Sequence, residues 1–278
     1  MRIHYCSDIH LEMGDLKRPF PTGDVLVLAG DITTLGCLDS QRPGHLLSYG
    51  LRQRTRKFFE DVSANFNRVF YLMGNHEAYH YHIDQAADTI RRELPMVEFL
   101  DDRAVELADG IILVGGTLWT DMDGDNPVAH IRVGRGMNDF RMIAAGPNNA
   151  RFSTHDAVAR HHKTMAVIRA AAQGNPGKTV VVATHHAPSF KGVNPAHAGS
   201  VMNPGYASSL DSFIMSQPNI RHGIFGHTHL QTAFKIGQCD VVSNAKGYPH
   251  ESSAATFSMD RSFEVFAPLE LRTAKVRI

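Results

Sequence analysis

Five short polar clusters hold residues that could do chemistry: Asp8-Ile9-His10, Gly30-Asp31, Gly74-Asn75-His76-Glu77, His185-His186 and Gly226-His227-Thr228-His229. Together they bring two aspartates, an asparagine and several histidines, a mixed oxygen and nitrogen donor set that suits two divalent cations held side by side. Asp31 stands alone on a glycine turn and is the natural bridge, because a carboxylate oxygen can span two metals and an imidazole seldom does. Asp8 and His10 are two positions apart on an extended segment, so both face a metal only if the chain turns there. Asn75 offers a neutral amide oxygen, which limits negative charge near an anionic substrate. His185, His227 and His229 complete two shells that fit Mn, Fe or Zn better than Ca or Mg. Gly30, Gly74 and Gly226 permit tight backbone geometry. His76, next to Asn75, is left as a free imidazole beside the metals, placed to donate a proton.

The elements that must position these clusters are legible as apolar runs. Short Val- and Ile-rich stretches near 1–7, 25–29, 68–73, 111–115 and 179–184, with Ile224-Phe225, each lead straight into a cluster or a turn. In an α/β protein the loops at the carboxyl ends of strands converge on the site. Helical patterns lie between the strands at Leu46 to Phe66, Asp84 to Leu94 and Ser153 to Ala172. The last opens on Ser153-Thr154-His155-Asp156, an approximate capping box, and stops at Gly174-Asn175-Pro176. Near the C-terminus, Thr232 to Ile236, Asp240 to Ser243 and Phe263 to Ala267 read as strands without intervening helices, which predicts a second, largely antiparallel sheet. Residues 120–150 and 188–206 read as long loops rich in Gly, Asn and Pro that rim the site. The first of these loops carries Arg132, Arg135 and Arg141. No linker splits the chain, so residues 1–278 are expected to form one domain.

The bulk composition excludes several classes. Lys plus Arg and Asp plus Glu are 28 each in 278 residues, so the formal net charge is zero. A protein that lives by gripping nucleic-acid backbone usually shows a basic excess, and no clear nucleic-acid-binding element is present. Cys6, Cys37 and Cys239 lack ligand spacing and read as reduced thiols in a cytoplasmic protein. No apolar run reaches the roughly 20 residues needed to span a bilayer, and the first ten residues read as a strand, not a signal peptide.

Residues outside the clusters carry blander readings. His161 and His162 lie in a helix and read as surface or packing residues; His80 and His82 read as solvated. Trp119 reads as core, and Arg52 to Lys57 as the wet face of a helix. His186 divides evenly between a group that orients the site and a buried neighbour.

The five blocks, in this order from residue 8 to 229, resemble the calcineurin-like metallophosphoesterase superfamily. Gly116-Thr117-Leu118-Trp119-Thr120-Asp121, Met137-Asn138-Asp139-Phe140 and Lys246-Gly247-Tyr248-Pro249 are similar to text in bacterial members. The resemblance implies an α/β four-layer sandwich of two mixed sheets flanked by helices. It also implies one metal on Asp8, His10, Asp31 and His229, a second on Asp31, Asn75, His185 and His227, and His76 as the catalytic histidine. The implied reaction is two-metal phosphoester hydrolysis, in which the ions lower the pKa of a water and clamp the phosphoryl oxygens while His76 protonates the leaving group.

In phosphoprotein phosphatases of the superfamily an Asp-Arg pair follows Gly-Asp, and an Arg precedes Gly-Asn-His. Thr34, Leu35 and Met73 occupy those positions here. A monoester dianion profits from a bidentate guanidinium, whereas a diester needs less. The expected substrate is therefore a small phosphodiester, nucleotide diesters included. The alternatives are a phosphomonoesterase that recruits Arg132, Arg135 or Arg141 from the rim, with Asn75 and His186 as further substrate contacts, and a non-catalytic metal-binding scaffold. The missing Asp leaves His76 without that branch's usual partner.

Overall fold

The computed structural model describes residues 1–42 and 48–268. Its frame is two mixed sheets. The first contains β1 (Arg2–Cys6), β2 (Gly23–Ala29), β3 (Phe66–Leu72) and β4 (Glu98–Phe99) in parallel, with a late strand antiparallel on β1. The second is built on β6 (Ile111–Gly116), β9 (Thr179–Thr184) and β10 (Ile220–Phe225), also mutually parallel. β5 (Arg103–Ala108) covers one of its edges in antiparallel sense.

The period of two in the strands decides the layering. Ile3, Val25, Val27, Phe70 and Leu72 point from the first sheet onto Leu113, Val181, Ala183 and Ile224 of the second. Their alternates, Leu26, Leu28, Val69 and Tyr71, face α1 (Tyr49–Asn65) and α2 (Ile83–Glu93) through Phe58, Phe59, Val62, Ile83 and Ile90. On the far side, Ile112, Val114 and Val180 pack on Met165, Ile168 and Ala172 of α6 (Thr154–Gly174). The result is helix, sheet, sheet, helix, the four layers expected. The start of α6 follows the sequence signal: Ser153 Oγ accepts from Asp156 N–H (3.1 Å) while the Asp156 carboxylate accepts from Ser153 N–H (2.8 Å).

Two expectations about the elements are corrected. Phe66 does not close the preceding helix. It begins β3, because the chain passes from α1 directly into extended backbone (φ −119°, ψ 142°). Leu46 and Leu47, assigned to the same helix, lie outside the described residues. The late strands do not form a separate antiparallel sheet. β11 (Thr232–Ile236) and β12 (Cys239–Ser243) make a hairpin whose second arm pairs parallel with β10, while β13 (Ser262–Glu264) joins β1. The chain reverses after β10 and again at the hairpin turn, so β12 runs the same way as β10 and extends the second sheet.

Residues 120–150 are not a structureless loop. They hold α3 (Met122–Asp125), α4 (Pro127–Gly136), α5 (Asp139–Met142) and a small ribbon of β7 (Ala144–Ala145) with β8 (Ala150–Arg151). Asn126 caps α4 by accepting from Val128 N–H (2.9 Å), and Pro127 takes the first helical position. The run 188–206 is held by three 3-10 turns at Phe190–Gly192, Pro195–His197 and Asn203–Gly205.

Trp119 is buried and packs on Phe152. The basic face of α1 is spent on internal ion pairs: Arg56 and Arg52 reach Glu93, Arg54 reaches Asp15 and Lys57 reaches Asp61. No helix among the described residues is long and apolar enough to cross a membrane.

Candidate metal centre

The carboxyl ends of β1, β2, β3, β9 and β10 meet at one edge of the sandwich. Each delivers one cluster: Asp8 and His10, Asp31, Asn75 and His76, His185, and His227 and His229. The turn that Asp8 and His10 require is present. Asp8 (φ 54°), His10 (φ 50°), Asp31 (φ 54°), His227 (φ 66°) and His229 (φ 50°) all take left-handed backbone. Each such residue costs of order 1–3 kcal/mol, and clustering of such strain is characteristic of functional sites. The strain is held in place by hydrogen bonds between the clusters. Asp8 N–H donates to Gly30 O (3.0 Å), His10 N–H to Asp31 O (3.0 Å) and His227 N–H to the Asp8 carboxylate (3.0 Å). The glycines give the room: a Cβ on Gly74 would strike Asp31 Oδ1 and lie 2.6 Å from His185 Nε2, and one on Gly226 would lie 2.7 Å from Asp8 Oδ2.

The donor atoms converge in two groups that share Asp31. His10 Nε2 lies 3.1 Å from His229 Nε2, His229 Nε2 lies 3.4 Å from Asp8 Oδ1, and His10 Nε2 lies 3.9 Å from Asp31 Oδ2. On the other side His185 Nε2 lies 3.1 Å from Asn75 Oδ1 and 3.4 Å from Asp31 Oδ2. Two donors bound to one ion at about 2.0–2.2 Å sit roughly 3–3.5 Å from each other in a tetrahedral shell, so these separations match shared coordination. The ligand atoms of Asp8, His10 and His229 lie within 4.8 Å of one another, as do those of Asp31, His185 and His227 and those of His10, Asp31 and His76. His227 Nε2 is buried with no hydrogen-bond partner. A buried ring nitrogen with nothing to bond is costly, and a cation between His227, His185 and Asp31 removes that cost. The residues therefore fit a pair of metal ions.

The electrostatics of Asp31 and His227 agree. Against the effect of burial, neighbouring carboxylates raise His185 to about 9 and His229 to about 10, so a cation there must displace their protons. Burial alone would push Asp31 up, but the imidazoles of His185 and His76 hold its carboxyl well below the usual range. Burial, with His186 and His185 beside it, keeps His227 well below the ordinary imidazole value and hence neutral, the form that ligates a metal.

A set of outer groups that the sequence reading did not single out fixes the rings. Glu77 is buried beneath the site. Its carboxylate accepts from the backbone N–H of Gly74 (2.7 Å), Ile32 (2.8 Å) and Asp31 (3.0 Å) and from the Tyr71 hydroxyl (2.7 Å). Burial and the nearby Asp31 charge raise it to about 7. Asp139 accepts from Asn75 Nδ2 (2.8 Å) and from the Tyr79 hydroxyl (2.7 Å). Glu251 accepts from His229 Nδ1 (2.6 Å), and Ala29 O from His185 Nδ1 (2.8 Å). These bonds leave each Nε2 facing inward, as partners of metal-ligating histidines do.

The Asp that partners the histidine in the phosphoprotein phosphatases is absent, and another acid stands beside His76: Glu12 Oε1 lies 3.0 Å from His76 Nδ1 and 2.9 Å from His10 Nδ1. Tyr79 stacks on the His76 ring (4.2 Å), and the Tyr248 hydroxyl lies 3.1 Å from His76 Nε2. The Asp-x-His-x-Glu spacing and the already quoted Asp139 and Tyr248 were the available signals.

Above the donors opens a cavity of about 480 Å³ with Asp31, Asn75, His76, His227 and His229 on its floor. Its walls come from the end of α4 (Gly136, Met137, Asn138), from the 3-10 turns (Asn194, His197, Asn203) and from Tyr79, Tyr206 and Tyr248. Arg132, Arg135 and Arg141 are not among the lining residues. They are exposed on the outer side of this segment, and Arg141 is bonded to Arg135 O (3.0 Å) and Asn138 Oδ1 (2.6 Å). His186 does not face the cavity either. It is buried behind His227, ring centroids 4.1 Å apart, and burial followed by the His185 charge lowers it to about 3. Among the described residues, no Arg or Lys lines the cavity.

Two mixed sheets with a carboxylate and histidine cluster across their strand ends define a metal-dependent phosphoesterase. Residues 1–231 match the model of the calcineurin-like phosphoesterases, and the chain belongs to that family. Among curated relatives it is 27% identical over 282 residues to uncharacterized protein L509 of Acanthamoeba polyphaga mimivirus, covering 90% of this chain and 93% of that one. Among solved structures it resembles the phosphopantetheinyl hydrolase of Mycobacterium tuberculosis, with a TM-score of 0.58 at 16% identity and 89% of each chain covered.

Proposed function

We propose that this chain is a dinuclear phosphodiesterase acting on a small phosphodiester. One ion would be held by Asp8, His10, Asp31 and His229, the other by Asp31, Asn75, His185 and His227, with Mn, Fe or Zn as the fitting metals. Bound there, two such ions acidify a water and neutralise phosphoryl charge. The remaining work falls to the chain. Asp31 joins the two shells, the buried carboxylates and carbonyl behind the rings hold their geometry, and α4 and the 3-10 turns wall the space in which a substrate would sit. His76, which makes no metal contact in this reading, donates the Nε2 proton to the leaving oxygen.

The observation that carries the diester reading is the cavity wall without Arg or Lys. A monoester dianion placed against two metals gains from an added guanidinium, and none of the rim arginines reaches the space. The full donor set weighs against a non-catalytic scaffold.

The test is hydrolysis of bis(p-nitrophenyl) phosphate against p-nitrophenyl phosphate with Mn²⁺. A diester kcat/KM at least about tenfold higher is expected, a factor worth 1.4 kcal/mol of transition-state binding. A preference for the monoester overturns the reading.

A further inference from the structure

We propose that Glu12 is the positioning residue that sets His76 for proton donation, an inference that rests on the role of His76 given above. Glu12 sits in a tight turn, Leu11–Met13, pinned by Met13 N–H to His10 O (2.8 Å) and Leu11 N–H to Ile32 O (2.9 Å). From this fixed base one oxygen, Oε1, faces both His76 Nδ1 and His10 Nδ1, at 3.0 and 2.9 Å. The other oxygen, Oε2, is buried without a partner, so the whole carboxylate is committed through Oε1.

An ionised carboxylate only accepts hydrogen bonds. Both rings therefore carry a proton on Nδ1 and turn Nε2 inward. For His76 this fixes the ring on both sides of the step. The doubly protonated ring gives its Nε2 proton to the leaving oxygen as the phosphorus–oxygen bond breaks. The neutral ring that remains still donates Nδ1–H to Glu12, so no reorientation is needed before the next proton arrives. Tyr79, stacked at 4.2 Å, limits ring tilt but cannot choose between the two nitrogens. Only Glu12 among the described contacts of His76 Nδ1 does so.

Help from a proton donor grows with the basicity of the leaving oxygen, and this separates positioning of His76 from general support of the site. The experiment compares wild type, Glu12→Ala, Glu12→Gln and His76→Ala, loaded with Zn²⁺, on methyl phenyl phosphate and methyl p-nitrophenyl phosphate. The expected result for Glu12→Ala is a kcat loss of about 10–100-fold on the phenyl ester, the size typical of outer partners of a site. On the p-nitrophenyl ester the same variant should lose less than about threefold, because that leaving group needs little protonation.

At Zn²⁺ concentrations that saturate the site despite the lost Glu12–His10 bond, KM, melting curve and two zincs per chain should be unchanged, and Glu12→Gln, which keeps an acceptor oxygen, should recover part of the loss. Two-bond ¹⁵N–¹H spectra should show His76 protonated on Nδ1 in the wild type and mixed in Glu12→Ala. If the Ala variant fails to fold, Glu12→Gln and its spectrum decide. Equal losses on both esters, loss of zinc through His10, or an unchanged His76 tautomer overturns the proposal. If His76→Ala itself shows no leaving-group dependence, the donor role of His76 fails and the Glu12 inference with it. If His76→Ala shows it and Glu12→Ala does not, the Glu12 inference alone fails.

Discussion

Asp139 accepts a 2.8 Å hydrogen bond from Asn75 Nδ2 and thereby turns the amide so that Asn75 Oδ1 faces His185 Nε2 at 3.1 Å. Only the amide oxygen can serve as a ligand, so Asn75 must present Oδ1, and the two acceptors on Nδ2, Asp139 (2.8 Å) and the Tyr79 hydroxyl (3.1 Å), set that orientation. Asp139→Ala removes the nearer acceptor, leaves the Tyr79 hydroxyl alone to hold the amide and costs one ion about 10–100-fold in affinity. A calorimetric titration with Mn²⁺ should show one site weakened and the other unchanged. Equal weakening of both would count against the role.

Gly74 carries a second expectation. A Cβ there would strike Asp31 Oδ1 and approach His185 Nε2 to 2.6 Å, both inside the donor set. Gly74→Ala should keep its circular dichroism spectrum yet lose most bound metal and at least about 100-fold in kcat, in line with the effect of 1 Å misplacements. Normal metal content in this variant would show that the loop yields and the donors reform.

Glu77 tests the support under the site. Replacing it with Gln puts an amide nitrogen against backbone N–H donors that now meet a carboxylate. Leaving such groups unsatisfied in a buried position costs about 1–3 kcal/mol each. Glu77→Gln should therefore lower the urea midpoint with little change in the m-value. A wild-type midpoint would mean that the loop re-pairs its donors elsewhere.

The Arg68–Glu98 pair gives a pH dependence away from the metals. Hydrogen bonding to Arg68 holds Glu98 below its ordinary 4.5. A carboxyl whose folded value is depressed stabilises the fold above its unfolded value and loses that contribution as pH falls through the folded one. Both side chains are about one-third exposed, so solvent screening keeps the effect small. The stability gap between wild type and Arg68→Met should thus shrink as pH drops below 4.5, and a gap independent of pH would argue for packing alone.

How much of this was legible in the sequence follows from distance along the chain. The donors stand in five compact blocks because each is delivered by one strand end, and strand ends are local features that apolar runs announce. The capping box at Ser153 and Asp156 was readable for the same reason. Glu12 and Asp139 were not assigned roles because their partners, His76 and Asn75, are 64 residues away, and the contact exists only once the sheets have paired. Glu251 lies 22 residues from His229 and was hidden in the same way. The helices in residues 120–150 were masked by glycines and asparagines, although Asn126-Pro127 is a helix start by its own chemistry. The rim arginines were placed by composition alone; Arg132 and Arg135 lie exposed on α4 and Arg141 exposed on α5, none of them lining the cavity.

The claim on which everything else depends is that Asp31 joins two metal shells. The most direct measurement is the number of Mn²⁺ ions bound per chain, by elemental analysis after equilibrium dialysis, in the wild type and in Asp31→Asn. Two ions per wild-type chain, with both lost or sharply weakened in the variant, is the expected result. One ion or none in the wild type, or two ions retained by Asp31→Asn, would contradict it.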